Sequence, residues 1–220
     1  MIQYVLLLGM LISSCQTGKT MKDSIYIKEH IIEAVSNNRI KTVEEALKSG
    51  ADVNTKDASG QSLLLIATKS GYIPMAELLV AYGADVNQQD RQLDSPFLYA
   101  GATGQAVLIR LFLKHGARFD IFNRYNGSAL IPACERGHIE VVKILTSTEG
   151  FPIDHINRLG WTALLEAVIL GDGSKKYEKI VQILVDAGCN TAIADKDGVT
   201  ALQHARSRGF QNIVSILERS

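Results

Sequence analysis

Residues 57–89 read DASGQSLLLIATKSGYIPMAELLVAYGADVNQQ. The stretch holds two short apolar runs, each punctuated where a helix would start or stop. Ser62 offers the hydroxyl oxygen that an N-cap needs, because the first turn of a helix leaves backbone N–H groups without partners. Gly71 ends the first run and Gly83 the second, in the left-handed conformation that glycine adopts freely. Pro74 suits the first turn of the second helix, where its missing N–H is no loss. Leu64, Ala67, Leu78 and Leu79 fall on one stripe, and Asp85, Asn87 and Asp90 form a polar, hairpin-like connection to the next stretch of chain. Two helices of this size bury too little apolar surface to stand alone, so the unit must stack on copies of itself.

The copies are in the sequence. Gly50, Gly83, Gly116, Gly150 and Gly188 are spaced 33, 33, 34 and 38 residues apart, and Gly71, Gly104, Gly137, Gly171 and Gly209 repeat the same four intervals. Ser62, Ser95, Ser128, Thr162 and Thr200 repeat them again, each a hydroxyl placed before an apolar segment. Ala67 recurs as Ala100, Ala133, Ala167 and Ala205, where a small side chain lets neighbouring helices approach closely. The columns predict an all-α solenoid of about six helix–turn–helix units, near residues 24–56, 57–89, 90–122, 123–156, 157–194 and 195–220. GADVN at 50–54 and 83–87, RGHIEVVKIL at 136–145 and DKDGVTAL at 195–202 resemble ankyrin repeats, and the resemblance covers about residues 25–218. It implies a non-catalytic binding stack that takes a protein through its hairpin tips and the exposed ends of its first helices. The His of the family's T-P-L-H motif is replaced by Leu65, Leu98, Ile131, Leu165 and Gln203, which removes a polar brace and leaves the stack. Unit five carries five extra residues between Gly171 and Gly188, around Asp172 to Tyr177. They read as a surface insertion, with an extra contact site as the other reading.

The chain opens differently. Residues 5–12 are an apolar run, VLLLGMLI, followed by Ser13, Ser14 and Cys15. The run is shorter than a bilayer-spanning helix needs. The order I-S-S-C resembles the lipobox of bacterial lipoproteins. That resemblance implies a signal peptide over 1–14, acylation of Cys15, a polar tether over 15–24 and the repeat domain over 25–220. Gln16 after the Cys implies an outer-membrane lipoprotein facing the periplasm. The segment before the apolar run lacks the Lys or Arg that signal peptides carry; a leader left unprocessed would make the chain a cytoplasmic regulator.

Composition excludes some classes. The 220 residues carry 23 Lys plus Arg against 23 Asp plus Glu, so no global cation field gathers phosphates and nucleic acid is not an expected partner. Three Cys are too few for a disulfide scaffold, and Cys134 and Cys189 are expected as reduced structural thiols. Gly171, Gly173, Ser174 and Lys175 lack the spacing of a phosphate loop. Asp195, Asp197 and Gly198 start like a calcium loop, yet Arg206 stands where its bidentate Glu belongs. Asn126, Gly127 and Ser128 match a glycosylation triplet that the cap role of Ser128 already explains. The five His fall far apart, so no catalytic residue, metal ligand or cofactor is expected.

Partner contacts are expected at the tips. After the Asp or Asn that opens each unit come Arg91, Arg124, Arg158 and Lys196, one cation per unit, about 10 Å apart if the helices stack. Beside them stand Gln92, Tyr125 and Leu159, then Asp94 and Trp161, with Glu135 and Arg136 at a neighbouring helix end. Arg, Tyr and Trp dominate interface energetics, which centres the expectation on Arg124, Tyr125, Arg158 and Trp161. The cation column calls for one specific protein with an acidic surface, met by a chain that is monomeric beforehand. One level finer, the combination of lipobox, tether and bare repeat stack resembles immunity lipoproteins that block secreted phospholipase toxins. A scaffold for a resident periplasmic enzyme is the alternative.

Overall fold

In a computed structural model of the protein, residues 28–220 are described; the leader, Cys15 and the tether lie outside them. The described residues form twelve helices in six pairs: α1 (28–36) with α2 (Ile40–Lys48), α3 (Leu63–Lys69) with α4 (Ile73–Ala81), α5 (Pro96–Ala102) with α6 (Ala106–Lys114), α7 (Leu130–Arg136) with α8 (Ile139–Thr146), α9 (Ala163–Ile169) with α10 (Lys175–Asp186), and α11 (Ala201–Ser207) with α12 (Gln211–Leu217). From α3 on, the odd-numbered helices pack on one another in an inner row, and from α2 on the even-numbered ones pack in an outer row. Their shared core is continuous from Ile31 to Leu217, and all five Ala of the repeated column are fully buried. A fully buried Leu or Phe in such a core contributes about 1.5–3 kcal/mol. No helix among the described residues is long and apolar enough to cross a membrane.

Each inner hairpin is built by one side chain. An Oδ1 oxygen of Asp57, Asp90, Asn123, Asn157 and Asp195 accepts the backbone N–H groups two and four residues on, at 2.8–3.0 Å. That double acceptance is why the column holds Asp or Asn alone. The other atom of the side chain is then free to take a partner that matches it. Asp90 holds Lys69 at 3.1 Å and Asp195 holds His204 at 2.7 Å, whereas Asn157 donates to Glu166 at 2.7 Å.

The caps follow the hydroxyl column with one failure. Ser62, Ser95, Thr162 and Thr200 accept from the backbone N–H three residues on, at 3.1–3.4 Å. Ser128, expected to do the same, is buried with its Oγ unpartnered, and α7 starts two residues beyond it. Pro132 supplies the reason. In the other units the residue four beyond the cap donates to the cap carbonyl, and proline has no N–H to donate.

Inner helices also need their last carbonyls satisfied, and the next unit provides the donors. Gln105 donates to the Thr68 carbonyl at 3.0 Å, Arg136 to Ala102 at 2.7 Å and Arg208 to Ile169 at 2.7 Å. Unit five has Leu170 in the register of Arg136 and Arg208, which can donate nothing. Here the insertion acts: Tyr177 is buried and its hydroxyl donates to the Glu135 carbonyl at 2.7 Å. The extra residues lengthen α10 to 12 residues. They also move the left-handed residue from Gly171 to Gly173, at φ +72°. A Cβ on Gly171 would lie 2.2 Å from the Ala167 carbonyl oxygen, so the expected helix-ending glycine serves close packing instead.

The outer turns are linked by a second ladder. Asn54 accepts the Asp85 N–H at 2.8 Å, Asn87 that of Arg118 at 2.8 Å, and Asp154 that of Asn190 at 3.0 Å. Between them the register pairs Asp120 with Pro152, which has no N–H; Asp120 binds the Arg118 guanidinium instead, at 2.6 and 3.0 Å. Aromatic rings cross this seam: Phe119 and Phe151 are 4.9 Å apart, and Phe122 stacks on His155 at 4.0 Å.

Candidate functional site

The tips of units three to five and the inner helices α5, α7 and α9 enclose a groove of about 390 Å³. Its exposed apolar walls are Tyr125, Leu159 and Leu170, which are 58%, 51% and 48% exposed. Among the described residues the other large exposed apolar side chains are Tyr82, Leu93, Val107 and Ile156, so three of seven gather at one opening. Pro132 and Glu166 occupy the same register on successive inner helices, and both line the groove.

Six of the expected contact residues line it: Asp94, Arg124, Tyr125, Glu135, Arg136 and Leu159. Gln92 is drawn in through Arg124, whose guanidinium donates to its side chain at 3.3 Å, lies 3.8 Å from Asp94 and stacks over Tyr125. Arg136 is committed to the Ala102 carbonyl. Arg91 and Arg158 are exposed on their tips outside the groove lining, anchored by backbone N–H groups that donate to Ser59 and Tyr125. Lys196 is exposed too, but its ammonium donates to the Arg158 carbonyl, so the four-cation column carries structural duties at two of its members. Trp161 is half-buried and packs against the core beneath its tip.

Two residues of the region escaped the sequence pattern. Leu93 occupies the tip position held by Gly60, Asn126, Gly160 and Gly198, and like them has a positive φ, +61°. A Leu in the left-handed region costs about 1 kcal/mol, and its side chain stands exposed on the tip. The break in a Gly/Asn column is a readable signal. Glu166 is only 4% exposed, with Oε1 accepting from Asn157 and Oε2 without a partner. Burial first, then the charge of Glu135, raise its carboxyl from 4.5 to about 7, against the stabilising bond from Asn157. Asp94 is likewise raised by burial and by Asp90, with Lys69 and Arg124 opposing. The free thiols of Cys134 and Cys189 are pushed up by burial, Cys189 to about 12, which leaves them protonated and unreactive at neutral pH.

Comparison with known proteins agrees with the geometry. Three overlapping matches to the family described as ankyrin repeats cover residues 7–90, 31–123 and 97–191. A protein described as ankyrin repeat protein YahD, from Escherichia coli K12, is 35% identical over 184 residues, 84% of this chain and 92% of that protein. The crystal structure of an ankyrin repeat domain from Acinetobacter baumannii AYE superposes with a TM-score of 0.84 at 46% identity, covering 86% of this chain and 96% of that one. The ankyrin repeat protein EF0377 gives 0.83 at 39% identity, with the same coverage.

Proposed function

Since the chain belongs to the ankyrin-repeat family, we propose that it is a non-catalytic binding protein that holds one specific protein in the groove of units three to five. The observation that carries this reading is the gathering of exposed Tyr125, Leu159 and Leu170 around a concave opening, a cost in water that a partner's apolar surface would recover. Arg91 and Arg158 have no ion-pair partner among the described residues, and in this reading they meet acidic groups on the partner's rim.

The finer assignment rests on the leader. With Cys15 acylated, the stack would be tethered to the outer membrane on the periplasmic side. A tethered inhibitor gains effective concentration where a delivered toxin arrives. We therefore read the protein as an immunity lipoprotein that blocks a secreted phospholipase-type toxin.

The test uses the tagged chain in its native host. Cys15→Ala should leave the membrane fraction, and the stoichiometric partner should co-purify with the wild type and be lost from a Tyr125→Ala, Leu159→Ala double variant. A secreted lipase inhibited by the purified chain establishes immunity. A resident periplasmic enzyme with unchanged or raised activity makes it a scaffold, and a Cys15→Ala chain that stays on membranes removes the lipid anchor.

A further inference from the structure

Of the groove's three carboxylates, Asp94 is paired, with Lys69 at 3.9 Å and Arg124 at 3.8 Å, while the Arg136 guanidinium keeps its charge and donates to the Ala102 carbonyl. Glu135 and Glu166 enter no ion pair among the described residues. Glu166 is the sharper case, because it is 96% buried and still lines the groove with an unpartnered Oε2. The Asn157 Nδ2 donates to Oε1 at 2.7 Å, and its Oδ1 takes the N–H groups of Leu159 and Trp161. A buried acceptor with no donor is expensive, and a charged one more so.

The surroundings say what would satisfy it. Exposed Tyr125 and Leu159 line the same groove as the buried Glu166 carboxyl, so an apolar stem with a cationic head matches both kinds of surface. A divalent ion is a poorer match, since among the described residues no three His, Cys, Asp or Glu side chains converge. We propose that the groove is the socket for one arginine or lysine side chain of the protein partner, its head donating to Oε2 of Glu166 beside Glu135 and its stem lying against Tyr125 and Leu159. The proposal rests on the reading that this groove binds protein, and adds that the partner presents a basic anchor at its centre while acidic groups meet the tip cations around it.

A carboxyl that titrates at about 7 gives the socket a signature. A cation binds its ionised form, which grows from about a tenth of the molecules at pH 6 to about nine-tenths at pH 8. The groups facing it are Glu135 and Cys134 of α7 and, in the same register of α11, His204 held by Asp195; Tyr177 of α10 is tied to the Glu135 carbonyl.

The experiment pans a displayed random dodecapeptide library on the immobilised full chain, and remeasures the selected peptides on Glu166→Gln, Glu135→Gln and Tyr125→Ala. The expected winners carry an Arg or Lys flanked by apolar residues. They bind about tenfold more tightly at pH 8 than at pH 6, lose that pH dependence and most affinity on Glu166→Gln, and weaken several-fold on Glu135→Gln. Peptides that depend on Tyr125 yet lack a basic residue, or ignore Glu166→Gln, overturn the socket and leave the groove as a protein site. Peptides indifferent to Tyr125→Ala overturn both.

Discussion

Glu166→Gln should make this protein more stable, by an amount that grows as pH rises from about 4.5 to 7. The folded state holds the carboxyl at about 7 against an ordinary value of 4.5. Below pH 4.5 the group is protonated folded or unfolded and costs nothing. Between 4.5 and 7 the folded chain binds more protons than the unfolded one, so stability falls as pH rises, and above 7 the loss is complete. At about 1.4 kcal/mol per tenfold in proton affinity the loss is about 3 kcal/mol. The groove opens to water, and screening brings the expectation to about 2 kcal/mol. Gln keeps the shape and the bond from Asn157 and cannot ionise. Urea denaturation followed by far-ultraviolet circular dichroism at pH 5, 6, 7 and 8 reads the difference directly, because every other titrating group is common to both chains. The gap should be about a quarter of its full size at pH 5 and widen to about 2 kcal/mol in favour of the variant at pH 8. A variant no more stable at pH 8, or a gap that ignores pH, would refute the account of Glu166 as a strained, ionisable floor.

Three further outcomes are expected. Tyr177→Phe removes only the hydroxyl that caps α7 and should cost about 1 kcal/mol in thermal or urea unfolding; no loss would mean that the insertion is passive. Leu93→Asn, copying the next tip, should gain about 0.5–1 kcal/mol by relieving the left-handed Leu, measured as a rise in Tm. Arg124→Glu with Arg158→Glu should leave the unfolding curve within about 1 kcal/mol of wild type, since both are exposed, while weakening the partner at least tenfold in calorimetry; equal binding would reduce the cation column to solvated surface.

Local backbone demands were legible in the sequence. A cap needs a hydroxyl and a left-handed turn needs Gly, so those columns announce the repeat wherever they stand. The tip Asp and Asn belong to this class, because each serves amides two and four residues away. Features that depend on another unit were silent. Tyr177 reaches a carbonyl 42 residues back to replace a donor that Leu170 lacks, and no periodicity marks it. Ser128 looked like its four counterparts, and only a proline four residues on undoes the cap. Six of the expected contact residues do line one groove, yet Arg136 is held by a helix end and Trp161 packs beneath its tip. Glu166 carries no signal in the sequence because its column holds Ile66, Tyr99, Pro132 and His204 elsewhere, a register with no shared chemistry and hence free to define a pocket.

Pro152 has a mechanical meaning. A hydrogen bond fixes the angle between the groups it joins, whereas two rings in contact slide and tilt at little cost. The seam between the turns after α6 and α8 is clamped by ring contacts where Asn54, Asn87 and Asp154 give the other seams a directional bond. The directional bonds of this seam lie inward instead, where the Arg158 N–H donates to the Tyr125 carbonyl at 2.9 Å, the Asn126 amide donates to the Ile156 carbonyl at 3.3 Å and His155 Nε2 lies 2.7 Å from the Asn126 carbonyl. The two units are thus pinned at the tips that border the groove and left to rings at the outer edge, the arrangement of a hinge whose pin sits on the binding side.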